Sequence, residues 1–369
     1  MFIHNTNQRP FNPSLLPYFI PQNICKELSD FPLLRLPSCY FPTFNAAQTN
    51  NLKESISIGM ELEMVIVNLP PGALENTNIF EIVKDGLNLF HPDGISIKTD
   101  VWTQVTGNQP DRKRFIVTDE KSVEVTLFDE QQQKEITGYA IELCTPILRN
   151  RSWKWVIPTV VEYIREKFDC RFNYTTGLHV HIGCGEGWGL QSLKGIAKAI
   201  IIFESSMDKY HPSHRKPEHN WCISSNSKND NLAGYTKLEA VKLLEAAVTK
   251  RDLLDLIGPH KFFKYNLNAV DTHGTVEFRQ GDAAVDGDMA VDWIDRVVKF
   301  VETAIKTKHS SFEIWARSED PWYSCSRKVF EEFGVPWDDR KRTSKRRKLP
   351  MKIRLNTKRK RVFLGRKDW

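Results

Sequence analysis

Glu61 and Glu63 lie in an alternating run, Ser55-Ile-Ser-Ile-Gly-Met-Glu-Leu-Glu-Met-Val-Ile-Val67. A period of two marks a half-buried strand whose side chains point to opposite faces in turn. Ile56, Ile58, Met60, Leu62 and Met64 share the apolar face. The two glutamates share the other, about 6–7 Å apart at the rise of a strand. Carboxylates that close raise each other's pKa or recruit a cation. Alone, such a pair is ordinary solvated surface.

The same alternation recurs in three further segments. In GYAIELCTP (138–146), Ile141 and Leu143 face inward and Glu142 points the other way. In TGLHVHIG (176–183), Leu178, Val180 and Ile182 face inward, which leaves His179 and His181 together outside. In GTVEFRQ (274–280), Val276 and Phe278 face inward and Glu277 lies beside Arg279. Singly, an HxH is two solvent-facing imidazoles and an ExR is a salt bridge. On one sheet, however, the four polar faces would gather four carboxylates, two imidazoles and a guanidinium. Carboxylates so crowded are untenable unless cations neutralise them. A ligand set rich in carboxylate and lacking cysteine suits Mg²⁺ or Mn²⁺ better than zinc. Arg279, beside a metal-binding Glu277, would clamp a phosphate with its planar fork. The chemistry implied is phosphoryl transfer on a sheet, since no GxxxxGK[ST] or kinase-type glycine loop occurs.

The elements that must position these residues are legible in outline. Strands are expected at 55–67, 94–105, 112–118, 122–128, 137–144, 178–183, 262–269 and 275–280, with Asp119-Glu-Lys121 as a hairpin connection. Helical spacing marks 153–168 (with Pro158 inside), 190–210, 237–257 and 288–306. Strands interleaved with helices, some joined by hairpins, predict an α+β fold on a mainly antiparallel sheet, with helices on its apolar face.

Five motifs in order then carry a resemblance: GMELEM, GYAIELCTPIL, TTGLHVHIG, the YNLN of 265–268, and GTVEFRQGDAAVD. Together, over about residues 55–305, they resemble the amidoligase family, within the carboxylate–amine ligase superfamily of glutamine synthetase and glutamate–cysteine ligase. The resemblance implies a curved, glutamine-synthetase-like catalytic domain. It also implies a reaction in which ATP phosphorylates a substrate carboxylate and an amine attacks the acyl phosphate. By position, Glu61 and Glu63 match paired metal ligands serving two different ions, and Glu142, His179 and Glu277 match further metal ligands. His181 matches a phosphate contact, and Arg279 the arginine that holds the transferred phosphoryl group. Arg215 sits where relatives place an arginine for a substrate carboxylate or phosphate. Asn266 and Asn268 are candidates for nucleotide or substrate contacts, or for ordering a strand end. The cofactors implied are ATP with Mg²⁺ or Mn²⁺, and the substrates are small molecules, amino acids or peptides. The segment 100–134 departs from the acidic turn of many relatives, with Asp119 and Ser122 as partial matches. Two other classes stay open: a silent, ligase-like scaffold and a metal-dependent amide hydrolase.

Bulk properties set the boundaries. The chain has 369 residues, 40% hydrophobic and 27% charged, with no apolar run long enough for a membrane span. Seven cysteines without CxxC spacing favour reduced thiols in an intracellular, cytoplasmic or nuclear setting, and no catalytic role is expected of them. Fifteen of the 52 Lys and Arg fall in residues 340–369 with one of the 46 Asp and Glu, which leaves 37 basic against 45 acidic residues, or −8, in the rest. An acidic body argues against a nucleic-acid-binding core. Nucleic-acid contact, nuclear localisation or self-association would therefore run through the basic tail. Three regions are expected: a Pro-rich arm (1–50), a catalytic domain (51–338) and the tail (339–369).

Overall fold

The alternating segments become strands because each has one apolar side to bury, and the helices supply the matching surface. The computed structural model describes residues 56–67, 78–90, 97–102, 111–129, 133–185, 187–217 and 224–337. The expected arm and basic tail lie outside the described residues. In chain order the elements are β1 (Ile56–Ile66), α1 (Ile79–Leu89), β2 (Thr99–Val101), β3 (Phe115–Asp119), β4 (Thr126–Asp129), β5 (Lys134–Thr137), β6 (Tyr139–Cys144), α2 (Trp153–Lys167), β7 (Cys170–Arg171), β8 (Gly177–Cys184) and α3 (Leu190–Met207). There follow α4 (Lys237–Ala246), α5 (Lys250–Ile257), β9 (Tyr265–Asn266), α6 (Ala269–His273), β10 (Thr275–Asp282), α7 (Gly287–Lys306), α8 (His309–Trp315) and α9 (Arg327–Glu332).

The fold is α+β. Its main sheet runs β2-β3-β6-β1-β8-β10-β9, with β7 also paired to β1, while β4 and β5 form a separate two-stranded ribbon. The β2–β3 pair is parallel and the other pairs of this sheet are antiparallel, so the sheet is mixed; it does not close into a barrel. The face bearing Ile58, Met60, Leu62 and Met64 joins Leu178, Val180, Ile182, Val276 and Phe278 in one core with α2, α3 and α7. Close backbone approach fixes α7 at two points. Gly195 of α3 lies against the Ala304 carbonyl at 2.7 Å from where a Cβ would stand, and a Cβ on Gly287 would collide with Pro158. Pro158 therefore remains inside α2 as a packing surface, with no break in the helix.

Three expectations are corrected. β3 and β4 do not form a hairpin across 119–121, because β3 pairs with β2 and β6 and β4 with β5. The helix expected over 237–257 is two helices, since Thr249 and Asp252 form a second capping box that restarts the chain after Ala246. The strand expected at 262–269 shrinks to two residues and gives way to α6.

Candidate active site

Register assembles the site. On β1, Glu61 is paired with Cys144 of β6 on one side and His179 of β8 on the other, while Glu63 is paired with Glu142. One step along, Gly59 is paired with His181, His181 with Glu277 of β10, and Glu277 with Asn266 of β9. Directly paired residues share a face of the sheet. The four polar faces expected from the sequence are therefore one continuous face, opposite the apolar core.

The side chains meet there. His179 places Nδ1 3.1 Å from Glu61 Oε2 and 3.7 Å from Glu277 Oε1, with Nε2 3.4 Å from Glu63 Oε1. His181 Nε2 lies 3.0 Å from Glu61 Oε1 and 3.9 Å from Glu277 Oε1, and its Nδ1 is 2.9 Å from the Thr275 hydroxyl. Glu277 accepts from Arg279 Nη1 at 2.5 Å on one oxygen and from Asn266 Nδ2 at 2.6 Å on the other. Among the described residues, three groups place one ligand atom each within 4.8 Å of one another: Glu61, His181 and Glu277; Glu63, Glu142 and His179; and Glu61, Glu142 and Cys144.

Electrostatics divide the carboxylates. Burial, followed by the charges of Glu61, Glu120 and Glu63, pushes the Glu142 carboxyl well above its usual range. Burial also raises Glu63. Burial works the same way on Glu61, but His181 and His179 outweigh it and hold that carboxyl well below the usual range. Glu277 is likewise desolvated, yet Arg279 and then His181 keep it low. Burial opposes charge on His181, and Glu61 overrides it to raise the imidazole. Protons held on the raised carboxyls would compete with a cation there. A divalent ion would displace them, as ligands must be deprotonated to bind a metal. Oxygen-rich groups with imidazole partners fit hard or borderline divalent ions.

Other expected site residues are placed less directly. Arg215 is buried on a 3₁₀ turn at Ser213–Arg215, and its Nη2 donates to the Arg279 carbonyl at 2.7 Å. Its guanidinium fills the space where a Cβ on Gly177 would stand, and its charge acts on Glu63. It braces β10 from the margin of the site. Asn268 precedes α6 and donates to the Gly258 carbonyl, so Asn266 is the asparagine beside Glu277.

The sequence reading missed Cys144, Glu120, Thr275 and His273. Cys144 was legible, because it stands two residues after Glu142 in a strand and must share its face. Glu120 was hidden by the mistaken hairpin. It follows β3, whose Thr118 pairs with Glu142. His273 lies edge-on to His181, with ring centroids 5.8 Å apart, and Arg112 Nη2 approaches its Nδ1 at 3.0 Å. Nothing in local spacing links positions 112, 181 and 273.

A family model described as "Putative amidoligase enzyme" matches residues 54–301. The chain belongs to this amidoligase family. No curated protein matches it. The amidoligase match begins just before β1 and ends within α7, so it spans every strand that contributes to the carboxylate–histidine face. Family membership points to an amide-bond-forming ligase.

Proposed function

We propose that this amidoligase is an ATP- and Mg²⁺- or Mn²⁺-dependent carboxylate–amine ligase. It would work through an acyl phosphate, as in the glutamine synthetase superfamily. The observation that carries this reading is the convergence of Glu61, Glu63, Glu142, His179, His181 and Glu277 on one face beside Arg279. Glu61, Glu63, Glu142, His179 and Glu277 would hold the ions. Glu61 and Glu63 fall in different ligand groups, in keeping with service to separate ions. His181, expected as a phosphate contact, joins the ligand set through Nε2 between Glu61 and Glu277. Ions held there would supply charge to neutralise phosphate oxygens and polarise the transferring phosphoryl group.

Arg279 supplies the remaining positive charge. Glu277 orients its guanidinium through one Nη1 bond, which leaves other donors of the fork for a phosphoryl oxygen as charge develops. Arg215 contributes by fixing the Arg279 backbone. No enzyme nucleophile is needed when the substrate carboxylate itself attacks the γ-phosphorus and ADP leaves as the bond to its β-phosphate oxygen breaks. The amine then attacks the acyl carbon and inorganic phosphate leaves. Small-molecule, amino-acid or peptide carboxylates and amines are the substrate classes.

The test is ADP release from Mg²⁺-ATP across a panel of carboxylates and amines. Substrate-stimulated release is expected, and Glu61→Gln and Glu63→Gln should each lower it by about 100-fold or more, the scale of lost electrostatic stabilisation in a transition state. Metal-dependent amide hydrolysis without ATP would replace the ligase reading with a hydrolase. Absence of ATP binding at millimolar Mg²⁺ would point to a silent scaffold.

A further inference from the structure

We infer that Cys144 is a thiolate ligand which, with Glu61 and Glu142, makes one position of this face selective for a zinc-class ion. The inference rests on the reading that the face holds cations, and adds a position of different chemistry to it. Three observations place the thiol. Cys144 is the direct cross-strand partner of Glu61 and shares the face of Glu142 by strand alternation. Its Sγ lies 3.2 Å from Glu142 Oε1, and Sγ and the two carboxylate oxygens are all within 4.8 Å of one another. At the bond lengths of a tetrahedral zinc site, ligand atoms stand about 3.5 Å apart, so one ion reaches all three with small side-chain movement.

Cys170 and Cys325 have different surroundings. Cys170 packs its sulfur against Met64 Sδ at 3.7 Å and the Ile164 carbonyl at 3.8 Å, and Cys325 is buried. Among the described residues, Cys144 is the cysteine found in a ligand group. Its chemistry differs from the rest of the face. A thiolate favours Zn²⁺, Co²⁺ or Cd²⁺ over Mg²⁺, whereas the groups built from Glu and His accept the harder ions. Binding converts the thiol to thiolate, with its proton released to solvent and no change of oxidation state. The position also shares Glu61 with the His181–Glu277 group and Glu142 with the Glu63–His179 group. A zinc-class ion there is therefore coupled to both of its neighbours.

Metal-free, full-length protein titrated with Co²⁺ tests this, with thiolate-to-metal charge transfer read in the near ultraviolet. A band is expected in the wild type, kept in Cys170→Ser and lost in Cys144→Ser, Glu61→Gln and Glu142→Gln. Cd²⁺ affinity by calorimetry should fall by about tenfold or more in Cys144→Ser. X-ray absorption at the cadmium edge, on unmutated protein with one equivalent bound, should show one sulfur ligand and needs no variant to fold. Mn²⁺ binding, followed in parallel by paramagnetic resonance, separates the two readings. Mn²⁺ bound with no sulfur at cadmium, or a cobalt band that survives Cys144→Ser, overturns the thiolate and leaves the carboxylate face standing. Failure of both ions to bind overturns both.

Discussion

At Glu142, burial and like charge act in the same direction and hold the carboxyl well above its usual range. The residue gave little signal by itself in the sequence, where one glutamate in a strand is ordinary. Its meaning came from three other strands with the same alternation. Cys144 carries the same signal two residues later, since strand alternation puts it on the face of Glu142, whereas the count and spacing of the cysteines say nothing of it. The raised Glu142 pKa has a consequence with a definite sign. A carboxyl whose pKa rises on folding stabilises the folded chain below its unfolded pKa, and that contribution is lost as the pH climbs through the raised folded value. Burial and the neighbouring Glu61, Glu120 and Glu63 cause the rise. Metal-free Glu142→Gln should therefore melt a few degrees above the wild type at pH 8 and no higher at pH 4. Saturating Mg²⁺ or Mn²⁺ should reverse the order at pH 8, because the wild type gains the binding energy and the variant has lost a ligand. Calorimetric melts at both pH values check this. An unchanged order with metal would mean that Glu142 is not a ligand.

At the level of elements, the sequence was most legible where burial is one-sided. β1, β6, β8 and β10 were expected within a few residues because each must hide one face. Partners were less legible, since pairing is a long-range choice: β3 reaches Glu142 by pairing with β6, skipping over β4 and β5. The irregularity of β10 was also hidden. Its register against β8 shifts between Phe278 and Gly281, the interval that holds Arg279. Such bulges re-aim a side chain next to an active site. Gly281 permits this one, because a Cβ there would collide with the Leu178 carbonyl and lie 2.6 Å from Trp293 Nε1. Gly281→Ala should cost about 1–3 kcal/mol, the usual price of overpacking. It should also lower ADP formation more than Mn²⁺ affinity, as the bulge positions Arg279 while the ligand strands stay paired. Parallel denaturation, Mn²⁺-binding and ADP-release measurements decide it. Equal losses in binding and turnover would place the bulge's effect on the whole face.

For the whole molecule, the question is where the folding unit ends. The family match stops at residue 301, yet the core continues. Phe312, Phe330 and Phe333 are fully buried, and Phe203 of α3 packs 4.7 Å from Phe333 with tilted rings and 5.5 Å from Phe330 edge to face, centroid to centroid. Trp337 closes the cluster at 4.3 Å from Trp322 and 5.1 Å from Phe330. Local spacing carries no signal for α8 and α9, because helices of seven and six residues are too short to display a period. Burying a phenylalanine is worth about 1.5–3 kcal/mol, so three of them approach the 5–15 kcal/mol by which a domain is stable. These aromatic side chains lie in the protein core, and no helix among the described residues is long and apolar enough to cross a membrane. A chain ending at residue 308 should therefore fail to fold, even though it retains every residue of the candidate site. A chain ending at Trp337 keeps that cluster whole and should melt within a few degrees of the full-length protein, with ADP formation retained. Expression of the two truncations, followed by circular dichroism and the ADP assay, separates the outcomes. A stable, active chain ending at 308 would show that the aromatic cluster is an appendage and that the matched span folds alone.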